Sequence, residues 1–227
     1  MKITYYGHAC VGVETPTAHL LFDPFITPNP LASHIDISTI PADYILLSHG
    51  HGDHVADALA IAQRTKAKIV SNYEIVTWYE TQHQYSNIHP MNHGGSWSFG
   101  FGKVRYVNAI HSSVLPDGTY GGNPGGFVVE TEVGNCYFAG DTALTMDMQL
   151  IPRFTRLDVA LLPIGSNFTM GIEEAVVAAE FVQCKTIIGI HYDTFGFIKV
   201  DHEAAKAAFA AAGCELILLD IGESWMR

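Results

Sequence analysis

The sequence predicts an α/β fold in which two mixed β-sheets pack face to face and carry helices on their outer faces, a four-layer αββα sandwich. Short apolar runs separated by turn residues dominate the middle of each half of the chain, and Ala-rich segments with helical spacing follow them. No long polar or Pro/Ser-rich segment separates the halves. For 227 residues, 48% of them hydrophobic and 15% charged, we predict a single domain over residues 1–227.

The first half of the chain is a meander of strands interrupted by a Pro-rich loop over residues 24–41. Its predicted strands cover residues 2–6, 10–14, 19–22, 44–48 and 68–71, and its predicted helices cover residues 55–64 and 73–81. The second half repeats this alternation. Its predicted strands cover residues 103–107, 126–132, 136–138, 158–162, 186–190 and 215–219, and its predicted helices cover residues 172–182 and 201–212. A pseudo-two-fold relation between the halves stays open, because no internal sequence repeat is visible.

The charge balance argues against several classes of partner. The chain carries 12 Lys and Arg against 23 Asp and Glu, a formal net charge of -11, which repels phosphate backbones and anionic lipid. We therefore expect no nucleic-acid partner and no membrane partner. The N-terminus lacks a sustained apolar region, no stretch approaches about 18 apolar residues, and the four cysteines form no C-x-x-C pair. These features favour a cytoplasmic location.

The sharpest motif is residues 48–54, Ser-His-Gly-His-Gly-Asp-His, which directly follow an apolar run and directly precede an Ala-rich helix. It offers four potential metal ligands: His49, His51, Asp53 and His54. The intervening glycines let the chain turn sharply, so that alternate side chains can converge. Asp53 and His54, at the helix start, can face a second ion about 3.5–4 Å from the first. The alternative is a polar loop with incidental histidines.

Three further candidate ligands lie just beyond predicted strands of the second half. They are His111, Asp141 and His191. Alone, each would be an ordinary cap or loop residue. Together with residues 48–54 they complete the ligand shells of two ions.

In this order, His49-x-His51-x-Asp53-His54 and then His111, Asp141 and His191, the chain resembles the metallo-β-lactamase-fold hydrolases over nearly its whole length. Flanking segments are similar to a branch of small bacterial metal-dependent hydrolases, a branch related to ascorbate-6-phosphate lactonase and, more distantly, to N-acylphosphatidylethanolamine phospholipase D. These segments are residues 6–8 (Tyr-Gly-His), 21–25 (Leu-Phe-Asp-Pro-Phe), 140–144 (Gly-Asp-Thr-Ala-Leu), 167–171 (Asn-Phe-Thr-Met-Gly) and 191–195 (His-Tyr-Asp-Thr-Phe).

The resemblance implies how the ligands divide. It assigns His49, His51 and His111 to the first ion, Asp53, His54 and His191 to the second, and Asp141 to a position bridging them. We expect two divalent ions, zinc first, although manganese or iron also suits imidazole and carboxylate ligands. His51 stands where di-iron flavoprotein reductases have Glu, which argues against O₂ or NO chemistry. Asp141 stands where a lactamase-type site has Cys, which argues for a true two-ion site.

The implied reaction is hydrolysis of an ester, lactone or phosphoester of a small metabolite by a hydroxide shared between two ions. Asp53 is expected to orient the nucleophile or relay its proton. We place His8 at the mouth of the pocket, where it could protonate a leaving group or hold an oxyanion. The alternative for His8 is a structural histidine.

Weaker candidates lie in two loops. Asn167 and Thr169 follow a strand and are candidate substrate-binding residues, although Thr169 could equally be a helix N-cap. The Gly-rich loop of residues 118–126 could approach a phosphate through its backbone amides, but it matches no phosphate-binding motif, and a plain turn explains it better.

Two other functions compete with the hydrolase. The first is an iron-dependent oxidoreductase or dioxygenase on the same fold, separable by metal content and oxygen uptake. The second is a non-catalytic protein that binds metal for stability. Seven candidate ligands argue against it, because one structural tetrahedral site needs only four. A homo-oligomer is compatible with the sequence, but no surface stripe establishes one.

Overall fold

A computed structural model describes the whole chain, residues 1–227. Its 14 strands form two seven-stranded mixed sheets, with helices against them, which confirms the predicted α/β sandwich. No helix combines the length and the apolar character needed to cross a membrane.

The first sheet contains strands from both ends of the chain. Its strands are β1 (Lys2–Gly7), β2 (Cys10–Glu14), β3 (His19–Phe22), β4 (Tyr44–Leu46), β5 (Lys68–Asn72), β6 (Ile88–Met91) and β14 (Ser224–Met226). The helices of this half are α1 (Gly52–Val55), α2 (Ala58–Thr65) and α3 (Tyr73–His83). In space the strand order is β14-β1-β2-β3-β4-β5-β6.

The second sheet is built from the rest of the chain. Its strands are β7 (Ser96–Phe99), β8 (Gly102–Asn108), β9 (Gly125–Thr131), β10 (Gly134–Phe138), β11 (Val159–Pro163), β12 (Thr186–Ile190) and β13 (Glu215–Ile217). The accompanying helices are α4 (Ile172–Phe181), α5 (His202–Ala211) and a 3₁₀ segment over Met146–Arg153. In space the strand order is β13-β12-β11-β10-β9-β8-β7.

The two sheets share one pairing pattern. In each, the first three strand pairs are antiparallel and the next three are parallel, starting from β14 in the first sheet and from β7 in the second. The C-terminal strand β14 completes the pattern of the first sheet, because Ile3 pairs with Trp225. The topology thus carries the repeat that the sequence does not display.

The interior between the sheets is aromatic and aliphatic. The ring centroids of Phe22 on the first sheet and Phe138 on the second lie 4.7 Å apart, and both side chains are buried. A separate apolar cluster fills the space between the first sheet and its helices, with Ile45 on β4, Ile61 on α2 and Tyr79 on α3. Because both faces of the central strands are covered, these strands are near-continuous apolar runs.

The structure differs from the predicted elements at two kinds of position. The predicted helix of residues 55–64 is interrupted at Asp57, whose carboxylate accepts hydrogen bonds from the backbone N–H groups of Ile26 (2.6 Å) and Thr27 (2.9 Å). Strands β6, β7 and β14 were not predicted. All three are short sheet edges, and an edge strand needs no continuous apolar pattern, because one side of its backbone is unpaired.

The contact between Phe22 and Phe138 predicts a loss of stability when one of these rings is removed. We expect Phe138→Ala to lower the free energy of unfolding by about 3–5 kcal/mol, because it leaves a cavity beside Phe22. The matched control is Phe197→Ala, whose ring is 78% exposed, for which we expect a change of about 0.5 kcal/mol or less. Chemical denaturation measures both. Equal effects in the two variants would contradict the assignment of Phe138 to the inter-sheet core.

Candidate metal centre

The ends of strands from both sheets bring all the predicted ligands into one cluster. The loop between β4 and α2 supplies four of them, and the segments after β8, β10 and β12 supply one each. The cluster consists of His49, His51, Asp53, His54, His111, Asp141 and His191.

The first group of ligands consists of His49, His51 and His111. One ring nitrogen of each lies within 4.8 Å of the others. His49 Nε2 and His51 Nδ1 are 3.0 Å apart, and His51 Nε2 lies 3.2 Å from the hydroxyl of Ser112. His51 therefore presents Nδ1 to the cluster and can donate its other ring N–H to Ser112. This is the group that the resemblance assigns to the first ion.

The second group consists of Asp53, His54 and His191, and it contains His8 in addition. Asp53 lies in the short helix α1, which places its carboxylate beside the imidazole of His54 at 3.9 Å from Nε2. Asp53 is the most exposed of the four, with 27% of its side chain accessible. The Asp53 carboxylate therefore contacts the second group of ligands and is also accessible to solvent.

Asp141 stands between the two groups. Its Oδ2 lies 3.9 Å from His49 Nε2 and 3.5 Å from His111 Nε2, which belong to the first group. The same oxygen lies 3.3 Å from His54 Nε2 and 2.9 Å from His191 Nε2, which belong to the second. This position is the one expected of a carboxylate shared by two ions.

Gly140 permits the approach of Asp141 to the other ligands. It has a φ of 63°, and a Cβ at this position would lie 2.6 Å from the Cβ of Ser48. A larger residue here would push the Asp141 segment away from the end of β4.

A buried carboxylate, Asp23, fixes the tautomers of two ligands. His54 Nδ1 donates to Asp23 Oδ2 at 2.8 Å, so His54 turns Nε2 toward the cluster. The Ser48 hydroxyl also donates to Asp23 Oδ2, at 2.5 Å. Because the hydroxyl proton is donated to Asp23, the Ser48 oxygen can only accept a hydrogen bond from His49 Nδ1, which lies 2.9 Å away. Nε2 of His49 therefore carries the lone pair that is free to bind a metal.

The donor atoms fit divalent cations. His54 Nε2 and Asp141 Oδ1 are buried and have no hydrogen-bond partner, which is costly unless an ion satisfies them. Burial lowers the pKa of His49, so its imidazole is neutral and can bind a metal. Burial also disfavours the cation of His54, but Asp141 and Asp23 outweigh it and raise its pKa. This part of the cluster therefore attracts positive charge.

Three residues of the site have strained backbone. His8, Asp23 and His191 have φ values of 56°, 40° and 56°, in the left-handed region that non-glycine residues avoid. Each directly follows a strand, β1, β3 or β12. The N–H of His191 donates to the carbonyl of His8 at 2.8 Å, which ties two of these turns together. Strain of about 1–3 kcal/mol at each position is typical of functional sites.

The expected position of His8 at the mouth of the pocket is wrong. Its side chain is fully buried behind Asp53, and its ring lies against Phe25 and Phe195. Burial lowers the pKa of His8 to about 4, so the imidazole is neutral. Its Nε2 donates to Asp53 Oδ2 at 3.2 Å, and its Nδ1 lies 3.0 Å from the hydroxyl of Thr194.

The hydrogen bond from His8 also acts on the charge of Asp53. Burial raises the pKa of the Asp53 carboxyl, but that hydrogen bond and the neighbouring His54 outweigh burial and lower it. Asp53 is therefore ionised, as a metal ligand must be.

A cavity of about 740 Å³ opens over the cluster. Its lining combines polar groups of the site with aromatic rings, namely His51, Asp53, His111, Ser112, Asp141, Phe168, His191, Thr194, Phe195, Gly196 and Phe197. The predicted substrate-binding residues Asn167 and Thr169 do not line it, whereas Phe168 between them does. The N-cap of α4 is Gly171, so the N-cap alternative for Thr169 is wrong. A role of Asn167 and Thr169 in substrate binding stays a prediction.

The Gly-rich loop of residues 118–126 is structural. Asn72 Nδ2 donates to the carbonyls of Gly121 (2.8 Å) and Asn123 (3.2 Å). Ser113 Oγ accepts from the N–H of Gly50 at 3.0 Å and donates to Gly121 at 2.9 Å. Ser113 therefore connects the loop to Gly50, in the turn between His49 and His51, which agrees with the interpretation of the loop as a plain turn.

The sequence analysis missed the roles of Asp23 and Ser48. Asp23 follows the buried strand β3 and precedes a proline, which marks a chain reversal at a strand end but not its partner. His54 lies 31 positions further along the chain, so only the fold reveals the contact.

Comparison with known proteins agrees with this geometry. A family model described as "Beta-lactamase superfamily domain" matches residues 19–192. A UPF0173 metal-dependent hydrolase of Flavobacterium johnsoniae is 60% identical over 224 residues and one of Methylacidiphilum infernorum is 54% identical over 224 residues, with 99% of each chain covered in both cases. Among solved structures, Igni18, a metallo hydrolase of Ignicoccus hospitalis, is similar with a TM-score of 0.88 and 32% identity over 99% of this chain and 97% of its own. The link to ascorbate-6-phosphate lactonase stays a prediction.

The network around Asp23 predicts a loss of metal affinity. We expect Asp23→Asn to weaken metal binding about 10- to 100-fold, because it removes the carboxylate that orients His54 and, through Ser48, His49. Titration of the metal-free protein with zinc measures this. The control is Asp36→Asn, since Asp36 is an exposed carboxylate that only caps a short 3₁₀ turn. Unchanged affinity in Asp23→Asn would contradict the orienting role.

The position of His8 predicts a separation of metal binding from activity. We expect His8→Ala to retain its bound metal and to lose at least about tenfold in kcat, because Asp53 loses the donor that holds its carboxylate. Elemental analysis and steady-state kinetics measure the two effects. Loss of one ion per chain in His8→Ala would make His8 a ligand of the second group instead.

Proposed function

Because this chain belongs to the β-lactamase superfamily, and within it to the UPF0173 metal-dependent hydrolases, we propose that it hydrolyses an ester, lactone or phosphoester bond of a small metabolite with two divalent metal ions. The observation that carries the proposal is the position of Asp141, whose Oδ2 lies within 4 Å of imidazoles from both ligand groups. A single structural ion would not need a shared carboxylate between two histidine groups.

Divalent ions held by these residues would supply Lewis-acid chemistry, namely activation of water near neutral pH and polarisation of the bond to be cleaved. Zinc fits the neutral imidazole and carboxylate donors, and manganese and iron fit them as well. In this proposal one ion would be held by His49, His51 and His111, the other would be held by Asp53, His54 and His191, and Asp141 would serve both groups.

The protein's own groups divide the remaining tasks. Asp53 is ionised, partly exposed, and faces the cavity, so it can accept a proton from the attacking water or orient it. His8 is a positioning residue rather than an acid for the leaving group, because its buried ring does not line the large cavity and contacts Asp53 instead. The arrangement needs no serine or cysteine nucleophile.

Charge supports a small molecule rather than a nucleic acid as substrate. The chain has a net charge of -11, and no Lys or Arg lines the cavity. A nucleic-acid enzyme needs cationic side chains along the backbone path.

The test is metal content of protein purified without added metal, paired with turnover of generic ester, lactone and phosphodiester substrates before and after chelation. We expect about two ions per chain and turnover that is lost on chelation and restored by zinc or manganese. His51→Ala should lose metal and activity together, whereas Asp36→Asn should keep both. One ion or none, without turnover, would overturn the proposal, and iron with oxygen uptake would favour the oxidoreductase.

A further inference from the structure

Three phenylalanine rings line the cavity together with residues of the candidate metal centre. Phe168 lies in the turn between β11 and α4, and Phe195 and Phe197 lie in the segment after β12. The ring centroids of Phe168 and Phe197 are 6.4 Å apart in an edge-to-face arrangement. Two separate loops thus place their rings side by side at one opening.

Two of these rings are exposed to solvent. Phe168 is 51% exposed and Phe197 is 78% exposed, although exposing an aromatic ring to water is unfavourable. Phe195, in contrast, packs against His8 and Phe25 and anchors the segment. Exposed rings on the rim of a cavity with convergent polar groups are typical of a ligand site.

The side chains that line the cavity favour an uncharged substituent over an anionic one. None of its eleven lining residues is Lys or Arg, and Asp53 and Asp141 are among them. A phosphate or carboxylate group on a substrate, away from the bond to be cleaved, would therefore find aromatic rings and carboxylates but no cationic side chain.

We propose that the substrate is an uncharged ester or lactone with an apolar, preferably aromatic, substituent that lies against Phe168 and Phe197 while the carbonyl faces the ligand cluster. This inference rests on the proposed function, which it narrows. It disfavours phosphorylated metabolites, including a phosphorylated lactone. Hydrolysis adds water across the acyl C–O bond, so that the acyl carbon gains the hydroxyl and the leaving alkoxide oxygen gains the proton.

The test uses binding of hydroxamic acids to the zinc-loaded protein by calorimetry, because these compounds ligate zinc without being substrates. The probes are acetohydroxamic acid, benzohydroxamic acid and 4-carboxybenzohydroxamic acid. We expect the benzo compound to bind at least about tenfold more tightly than the aceto compound, as burial of a phenyl group predicts. The added carboxylate should cancel most of that gain.

Variants assign the gain to the two exposed rings. Phe168→Ala and Phe197→Ala should reduce the ratio of benzo to aceto affinity to about threefold or less and leave acetohydroxamic acid binding unchanged. Phe197→Leu should retain most of the ratio, because it keeps an apolar side chain. The matched control is Phe154→Ala, another exposed phenylalanine, 62% accessible and outside the cavity lining, which should leave the ratio unchanged.

Different failures have different meanings. If no hydroxamic acid binds to the zinc-loaded protein, the proposed metal centre fails and the inference fails with it. If all three probes bind with equal affinity, the metal centre stands and the inference is overturned. If Phe197→Ala leaves the ratio unchanged and converts a dimer to a monomer in sedimentation, the rings are an interface between two copies of the chain, which also overturns it.

Discussion

The candidate site depends on one buried carboxylate. Asp23 accepts hydrogen bonds from the side chain of His54 and from both the backbone and the hydroxyl of Ser48, and Ser48 in turn orients His49. One anion therefore sets the direction of a ligand in each of the two groups. Burial raises the pKa of the Asp23 carboxyl, and these donors offset part of that cost. The backbone of Asp23 itself has a φ of 40°, in the left-handed region. The orientation of two ligands in the loop of residues 48–54 therefore depends on Asp23, a residue outside that loop.

The site exists only when the two sheets pack together. His49, His51, Asp53 and His54 come from the first sheet, whereas His111, Asp141 and His191 follow strands of the second. The aromatic contact of Phe22 with Phe138 lies between the same two sheets. The geometry of the ligands thus depends on the packing of the two sheets, because a shift between the sheets would move Asp141 relative to His49 and His54. This coupling favours a rigid site whose ligands are fixed before an ion binds.

The cavity over the cluster is lined by two kinds of side chain, polar groups that can bind metal and apolar aromatic rings. Its lining combines imidazoles and carboxylates that suit divalent cations with phenylalanine rings on two loops. The imidazoles and carboxylates follow strand ends, whereas Phe168 and Phe197 lie in connecting segments that can change without disturbing the sheets. In our proposal, the residues that carry the reaction and those that set substrate preference therefore lie in different parts of the fold.

The central strands, most helices and the seven candidate ligands could be predicted from the sequence. Periodicity and the spacing of residues 49–54 are local properties, and His111, Asp141 and His191 each lie just beyond an apolar run. Which groups face one another follows instead from the packing of the folded chain. It placed His8 behind Asp53, joined Asp23 to His54, and kept Asn167 and Thr169 out of the cavity. It also added the edge strands β6, β7 and β14. Edge pairing and hydrogen bonds between distant residues depend on how the chain packs, and no local pattern encodes that.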